Sequence, residues 1–285
     1  MPIFNRIAIL GPGLLGASLG MAIRKRKISK SIRIWARKQS SLQKCKKEVW
    51  CDEISSTMEE AVIACDLVVV CTPIKHIEET LQKIIPKCPE DTIITDVGSV
   101  KGSICKVAKE SSSEKGTCFI GSHPMAGSEK SGMENATAEL FDNRTCMITP
   151  YPEDSIVEIE KLESFWRLLG MKVHRATPKD HDSIVSNISH LPHVIASSLA
   201  AHLASFPDSW LEMAGQGFKD TTRIAQGDPS LWCEIMKSNR KNLCDSLDQW
   251  QKSVDEVRSF LYAEKWDNLT RYLSDAADHR KKIKS

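Results

Sequence analysis

Short apolar runs alternate with longer mixed stretches over the first 176 residues of the chain. Most of these runs are almost continuously hydrophobic, which is typical of strands buried on both faces of a parallel sheet. The stretches between them can hold crossover helices, so the pattern predicts an α/β fold. The predicted strands cover residues 6–10, 32–36, 67–71, 92–96, 117–121, 146–149 and 171–176.

The pattern changes after Thr177 and Pro178. Beyond this point the chain has no strand-like alternation, and long helices are predicted over residues 180–205, 210–225, 230–261 and 265–284. The sequence therefore predicts two domains, one containing a sheet over residues 1–177 and one that is all-helical over residues 178–285.

Composition narrows the class of protein. The 285 residues carry a formal net charge of +2 and no polybasic tail, which argues against a nucleic-acid partner. No apolar stretch is long enough for a membrane span, so no membrane partner is expected. The ten cysteines include no CxxC pair. We therefore expect no metal site, and reduced thiols in a cytoplasmic protein.

A glycine motif follows the first predicted strand and opens a helix. It consists of Gly11, Pro12, Gly13, Leu14, Leu15 and Gly16. Gly11 permits a tight turn, Gly13 lets the backbone approach a pyrophosphate, and Gly16 lets the helix pack closely on the strand. Unpaired N–H groups at the helix start would face the phosphates. This context predicts a dinucleotide site in a Rossmann-type, doubly wound sheet.

The end of the second strand indicates which dinucleotide binds. Ala36 stands where NAD enzymes usually carry an acidic residue for the ribose, and Arg37 and Lys38 follow it. With no carboxylate to repel a 2′-phosphate and two cations to bind one, the sequence favours NADP. If Arg37 and Lys38 are only a solvated turn, NAD remains possible.

Two further strand ends belong to the same predicted edge. Thr72 and Pro73 follow the third strand, and Ser99 follows the next one. Ligands of open parallel sheets bind outside the carboxyl ends of the strands, so we expect all three residues at the cofactor. Ser99, between small residues, is placed to approach the nicotinamide.

His123 follows a predicted strand that ends at Gly121. This places it in a loop at the carboxyl edge, where a general base is useful. Glycines at positions 121, 127 and 132 permit close approach of a substrate.

Four segments carry a resemblance to a known family. They are DVGSVKG (96–102), GSHPMAGSEKSG (121–132), HDSIVSNISHLPH (181–193) and GFKDTTRIAQGDPSLW (217–232). In this order the sequence resembles the prephenate/arogenate dehydrogenases of tyrosine biosynthesis, over nearly the whole chain. The resemblance implies oxidative decarboxylation of prephenate or arogenate to 4-hydroxyphenylpyruvate or tyrosine, with a nicotinamide cofactor as hydride acceptor.

The residues agree with this chemistry. Neutral His123 would accept the proton of the C4 hydroxyl, and Ser99 would orient His123. Arg223 is the candidate for a substrate carboxylate, because its planar fork binds two oxygens. It could instead form a surface ion pair with Asp220, and both contacts could occur in turn. His181 is expected to be structural or to support the site.

The helical domain supplies the remaining candidates. His190 and His193 share a helix face. The resemblance implies that His193 reaches the substrate side chain and that His190 supports it, whereas the spacing alone also allows a metal site. Trp232 is predicted to line the substrate site, or else to belong to the core. Gln216 replaces a glycine common in the family and would lie near the substrate side chain or a feedback-inhibiting tyrosine, so it could alter substrate preference or inhibition.

Two other functions remain open from the residues. One is an NADP-dependent dehydrogenase of the β-hydroxyacid or imine-reductase type, which predicts no histidine at the position of His123. The other is a non-catalytic NADP-sensing module, which has no use for Ser99, His123 and Arg223 together. We also expect a homodimer joined through the helical domain, because an apolar helical half needs a partner surface.

Overall fold

The computed structural model describes residues 2–112, 118–127 and 131–283. Contacts between residues divide the chain into two compact units, Met1–Asn239 and Arg240–Ser285. The first unit contains both sheets and five of the helices that follow residue 177.

The main sheet has six parallel strands in the order β3-β2-β1-β4-β5-β6. This order is that of a doubly wound sheet, and the predicted fold class is confirmed. The strands are β1 (Phe4–Leu10), β2 (Ser29–Trp35), β3 (Glu53–Ile54), β4 (Leu67–Val70), β5 (Ile93–Asp96) and β6 (Cys118–Phe119).

Two hydrophobic clusters cover the faces of this sheet. In β1, Ile7 and Ile9 belong to one cluster, and Ala8 and Leu10 belong to the other. Successive side chains of a strand point to opposite faces, so a strand buried on both sides needs an unbroken apolar run. This is why the central strands could be predicted from hydrophobicity alone.

A second sheet of three strands follows the first. Its strands are β7 (Gly121–Pro124), β8 (Thr145–Thr149) and β9 (Lys172–Arg175). β7 pairs antiparallel with β8, and β8 pairs parallel with β9. The strand predicted at 117–121 is therefore two short strands, β6 and β7, and its residue 117 lies outside the described residues. His123 lies within β7, so its predicted place in a loop was wrong.

Helices connect the strands of the first 177 residues. They are α1 (Leu14–Lys25), α2 (Gln39–Cys45), α3 (Met58–Val62), α4 (Ile74–Ile84), α5 (Gly102–Ser112) and α6 (Ile156–Leu168). α1 begins directly after Gly13 and ends in Arg24 and Lys25, cations that suit the negative end of a helix dipole.

Five further helices complete the first unit. They are α7 (Pro178–Val185), α8 (Leu191–Leu203), α9 (Ser209–Glu212), α10 (Gln216–Thr222) and α11 (Pro229–Ser238). Thr177 caps α7 by accepting a hydrogen bond from the N–H of Asp180. The predicted helix at 180–205 is confirmed as a helical run, with one π-helical turn, Ser186–His190. Pro192 explains this turn, because proline has no N–H and its ring clashes with the carbonyl four residues earlier.

Two of the predicted long helices are interrupted. The one at 210–225 breaks between α9 and α10, where Gly215 stands before the first turn of α10. The one at 230–261 breaks at Asn239. The second unit consists of α12 (Arg240–Tyr262) and α13 (Trp266–Lys281). Residue 284 of the last predicted helix lies outside the described residues.

Two global properties follow from the described ranges. None of their helices combines the length and the apolar character of a membrane span. All ten cysteines are free thiols, and six of them are buried.

Candidate active site

The glycine turn after β1 is shaped by close backbone contacts. Gly11 has a φ of +103°, and a Cβ atom there would lie 2.8 Å from the carbonyl oxygen of Cys71. A Cβ atom at Gly16 would lie 2.1 Å from the carbonyl oxygen of Gly11. A Cβ atom at Gly13, in contrast, would have no neighbour within 4 Å. Gly13 precedes α1 without a side-chain cap, which leaves helix N–H groups available for a phosphate.

Thr72 lies beside this turn, directly after β4. Its backbone nitrogen would be 3.0 Å from a Cβ atom at Gly11. Its hydroxyl oxygen is buried and has no hydrogen-bond partner among the described residues. Buried polar groups are normally hydrogen-bonded, so this hydroxyl suits a bound polar group. Pro73 follows and precedes the first turn of α4. These features fit a dinucleotide at the position that the sequence predicted.

The predicted 2′-phosphate site lies after β2. Ala36 is buried, whereas Arg37 and Lys38 are exposed. Within the described ranges, neither cation forms an ion pair. Nη1 of Arg37 lies 3.4 Å from Nε2 of His76, a residue of α4 that sequence reasoning missed.

A buried ion pair holds the segment that carries Ser99. Asp96 and Lys101 form a salt bridge in which both side chains are fully buried. Asp96 also accepts hydrogen bonds from the backbone N–H groups of Gly98 (2.8 Å) and Ser122 (3.2 Å). Nζ of Lys101 donates to the carbonyl oxygen of Ser122 at 2.8 Å. These bonds tie the half-buried Ser99 segment to β7, the strand of His123.

His123 belongs to a buried chain of three side chains. Its Nδ1 lies 2.9 Å from Nε2 of His181, and Nδ1 of His181 lies 2.8 Å from Oδ1 of Asp182. Asp182 also accepts hydrogen bonds from the backbone N–H groups of Lys101 (2.7 Å) and Gly102 (2.8 Å). The expected orienting contact from Ser99 is not formed: in the described part of the chain, no hydrogen bond joins Ser99 to His123. His181, expected to be structural or to support the site, contacts both His123 and Asp182.

Burial sets the protonation of this chain. The pKa of His123 lies well below its ordinary value because of burial, with further contributions from the nearby His181 and Lys101. Burial also lowers the pKa of His181. For Asp182, burial opposes ionisation, but the hydrogen bonds from His181 and from two backbone N–H groups outweigh it and lower the pKa. Both imidazoles are therefore neutral near neutral pH, and the carboxyl group is ionised.

The two histidines on either side of Pro192 have different partners. The side-chain amide of Asn239 lies 3.2 Å from Nδ1 of His190 and also donates to the carbonyl oxygen of Asp182 at 2.7 Å. Burial lowers the pKa of His190 to about 4. His193 stacks on Trp232, with ring centroids 3.6 Å apart.

This stack leaves one polar atom uncommitted. Nδ1 of His193 is buried and has no hydrogen-bond partner among the described residues. Gly227 permits the stack, because a Cβ atom there would lie 2.4 Å from Nε1 of Trp232 and 3.2 Å from Cε1 of His193. Trp232 thus packs against the predicted substrate residue, and the uncommitted nitrogen suits a polar ligand.

Arg223 lies in the short 3₁₀ turn after α10, which packs on α8. It is exposed and forms no ion pair within the described ranges. The alternative ion pair with Asp220 is not formed among the described residues. Asp220 instead accepts a hydrogen bond from Nε2 of Gln216 at 2.8 Å. Gln216 therefore holds Asp220 within α10, and no acidic side chain of the described segments pairs with the guanidinium of Arg223.

Sequence reasoning missed the buried residues that hold the candidate site residues in place. Asp96 and Lys101 lie in the segment DVGSVKG, and Asp182 directly follows His181, so motif position was a usable signal for all three. Asn239 carried no such signal. In the described ranges, no three potential ligand side chains come together to hold a metal ion. Residues 128–130 of the segment GSHPMAGSEKSG lie outside the described residues.

Two family models match consecutive parts of the chain. The model described as "Prephenate dehydrogenase, nucleotide-binding domain" matches residues 19–175. The model described as "Prephenate dehydrogenase, dimerization domain" matches residues 177–275.

Individual relatives give the same result. A prephenate dehydrogenase of Bacillus subtilis is 32% identical over 97% of this chain and 75% of its own length. The crystal structure of a Synechocystis arogenate dehydrogenase has a TM-score of 0.86 at 32% identity, covering 97% of this chain and 99% of that one. A prephenate dehydrogenase from A. aeolicus, in complex with hydroxyphenyl propionate and NAD⁺, has a TM-score of 0.90 at 27% identity and covers 98% of both chains.

Proposed function

This chain belongs to the prephenate dehydrogenase family, and we propose that it oxidatively decarboxylates prephenate, arogenate or both. The products would be 4-hydroxyphenylpyruvate and tyrosine, respectively. The observation that carries the proposal is the buried, neutral His123, held by hydrogen bonds in the strand next to the Ser99 segment. This segment follows β5. The glycine turn follows β1 and Thr72 follows β4, and the three strands are neighbours in one parallel sheet, so all three segments lie at its carboxyl edge.

The reaction is balanced by three departures from the cyclohexadiene ring. The C4 hydroxyl loses its proton, C4 loses a hydride, and the carboxylate at C1 leaves as carbon dioxide. The electron pair of the broken C–C bond remains in the ring and completes the aromatic system. The phenolate oxygen then takes back one proton, which gives the phenol of the product. When bound, the nicotinamide cofactor supplies the acceptor for the hydride. The residues of this chain bind the substrate and the cofactor in the correct relative position and accept the proton.

His123 is the residue proposed to take the proton. A neutral imidazole is a proton acceptor, and burial keeps His123 neutral. Ser99, in the segment tied to β7 by Lys101, is proposed to contact the C4 hydroxyl and the nicotinamide. Its proposed role is contact with the ligands, since His181 already occupies Nδ1 of His123.

Three residues of the helical part are proposed to hold the substrate. Arg223 has no acidic partner in the described ranges and binds a carboxylate. His193 offers its uncommitted Nδ1 to the side chain of the substrate, and Trp232 fixes the imidazole plane by stacking. His190 is proposed to support this group through its edge-to-face contact with Trp232, with ring centroids 6.2 Å apart, and Gln216 is proposed to act indirectly by holding Asp220.

NADP is proposed as the preferred cofactor. The support is the absence of a carboxylate at Ala36 and the two exposed cations that follow, which the described residues leave without ion pairs. Arg37→Ala should weaken NADP binding far more than NAD binding, measured as Kd by titration calorimetry. The control is Arg271→Ala, an exposed arginine of α13. Equal changes for both cofactors would remove the 2′-phosphate assignment.

A homodimer is proposed, with domains over residues 1–177 and 178–285 as the sequence predicts. The matched family ranges support this division, and the second is described as a dimerization domain. Large apolar side chains exposed in the second range, such as Ile188, Met213 and Tyr262, also favour a partner surface. Light scattering should give twice the chain mass of 31.9 kDa, and a mass near one chain would contradict the proposal.

Neither alternative function is favoured. A β-hydroxyacid or imine-reductase type of dehydrogenase gives no reason for the buried chain that includes His123. A non-catalytic sensor gives no reason for an uncommitted Arg223 or for an unpaired His193 nitrogen. The relatives that match nearly the whole chain are prephenate and arogenate dehydrogenases.

The direct test follows the absorbance of reduced nicotinamide. The protein is mixed with NADP or NAD and with prephenate or arogenate, in all four combinations, beside the His123→Asn variant. We expect reduction with at least one substrate, faster with NADP, and very little in the variant. No reduction with either substrate and either cofactor would overturn the proposed function.

A further inference from the structure

The partners of Asp182 fix the direction of every hydrogen bond in the buried histidine chain. An ionised carboxylate has no proton and can only accept. Asp182 accepts from the N–H groups of Lys101 and Gly102, and its contact with His181 at 2.8 Å must therefore use a proton on Nδ1 of His181.

The next contact in the chain follows from this proton. A neutral imidazole carries one ring proton, so Nε2 of His181 is left with a lone pair. Nδ1 of His123, 2.9 Å away, can bond to that lone pair only by donating its own proton. Nε2 of His123 is then the unprotonated nitrogen. Two acceptor atoms facing each other inside the protein would otherwise be left unsatisfied, at a substantial cost in stability.

We propose that Asp182 and His181 are positioning residues that hold His123 in the tautomer whose Nε2 accepts the proton of the substrate hydroxyl. The catalytic part of this proposal rests on the proposed function. When Nε2 takes the proton, the resulting imidazolium donates through Nδ1 to His181, and the ionised Asp182 lies at the far end of the same chain. The arrangement follows the logic by which a buried aspartate orients a catalytic histidine in hydrolases.

The chain's geometry makes the assignment testable without any turnover. All three side chains are at least nine-tenths buried, which slows the exchange of the two imidazole N–H protons with water. Nitrogen NMR of the ¹⁵N-histidine-labelled protein separates protonated from unprotonated ring nitrogens. His123→Gln and His181→Gln variants assign the signals. We expect a protonated Nδ1 and an unprotonated Nε2 for both residues at pH 8. A proton on Nε2 of His123 would overturn the proposal.

Kinetics of two His181 variants tests the positioning role. His181→Gln keeps an oxygen that can accept from Nδ1 of His123, whereas His181→Phe keeps bulk without an acceptor. His174→Gln, at an exposed position of β9, is the control. We expect kcat to fall by about 10²–10⁴-fold in His181→Phe, the range associated with a positioned base. His181→Gln should recover much of this loss. The substrate KM and the NADP Kd should stay near wild type in both.

The outcomes separate this proposal from the proposed function. Wild-type-like kcat in His181→Phe would overturn the positioning role. Equal losses of kcat in both variants, together with weaker NADP binding, would also overturn it, because they would show a purely structural residue. If His181→Phe does not fold, the NMR measurement on the unaltered protein still decides. Absence of turnover in the wild type would count against the proposed function, while the measured tautomer would stand apart from it.

Discussion

Replacement of Gly13 by alanine should separate cofactor binding from folding. Gly13 has φ −75° and ψ −159°, an extended conformation open to any residue, and a Cβ atom there meets nothing within 4 Å. Alanine restricts the unfolded chain, a gain of about 0.4–1 kcal/mol. It also caps a helix less well than glycine, a loss of about 0.5–1 kcal/mol. The free energy of unfolding should therefore change by less than about 1 kcal/mol.

Cofactor affinity should change far more. The second glycine of this motif lets the backbone approach the pyrophosphate, so a methyl group would push the phosphate away from the helix N–H groups. A hydrogen bond to a charged group contributes about 1.5–3 kcal/mol, so losing one raises the NADP Kd by about 10- to 150-fold.

Gly16→Ala provides the contrast. Its Cβ atom would lie 2.1 Å from the carbonyl oxygen of Gly11, so the backbone must shift. We expect it to destabilise the protein by about 1–3 kcal/mol or more. Titration calorimetry with NADP and urea unfolding of the three proteins give the comparison. An unchanged NADP Kd in Gly13→Ala, or equal destabilisation by the two substitutions, would refute the reasoning.

Substitutions at His123, Arg223 and Lys101 test the site and the buried ion pair beside it. His123→Asn should lower kcat by about 10²–10⁴-fold. Because burial depresses the pKa of His123, wild-type kcat/KM should stay level as the pH falls through about 6.5 and decline only below it; a decline centred at or above that value would contradict the assignment. Arg223→Ala should raise the substrate KM by about 10- to 150-fold, with partial recovery in Arg223→Lys, and an unchanged KM would remove Arg223 from the site. Lys101→Met should leave Asp96 unpaired and lower the free energy of unfolding by about 3–5 kcal/mol in urea titrations. The control is Lys109→Met, which removes an ion pair with Glu153 at the surface and should change the free energy of unfolding little. Equal destabilisation by Lys101→Met and Lys109→Met would contradict the importance of the buried pair.

The central strands were predictable because their burial leaves a direct mark on the sequence. Every residue of β4 is buried, and the hydrophobic run matches the strand almost to its ends. The two-residue strand β3 leaves no such mark, since its side chains are only half-buried. The break at Asn239 was missed because it interrupts a stretch whose helical character continues on both sides.

The site shows the same division between local and distant information. Gly11, Gly13 and Gly16 could be assigned because a tight turn and a helix start depend on neighbouring residues. The partner of His123 could not be assigned from sequence. His181 lies 58 positions away, and the two side chains meet only in the folded protein, where β7 and α7 come together. Hydrophobic pattern carries no information on such pairs.

Asp220 illustrates a local competition that spacing cannot resolve. Arg223 and Gln216 are both one helical turn from it, and either could bond to it. In the structure the bond goes to Gln216, and the helix tightens into a 3₁₀ turn at Arg223. Among the residues that the structure describes, the guanidinium of Arg223 therefore has no acidic partner.

The most direct test of oxidative decarboxylation compares carbon dioxide released with cofactor reduced. Prephenate and arogenate labelled with ¹³C at the ring carboxylate are each turned over by the wild-type protein with NADP. Released ¹³CO₂ is measured by mass spectrometry beside the absorbance of reduced nicotinamide. We predict equal amounts of both products with at least one substrate, and neither product above background in His123→Asn. Cofactor reduction without release of ¹³CO₂ would contradict the account.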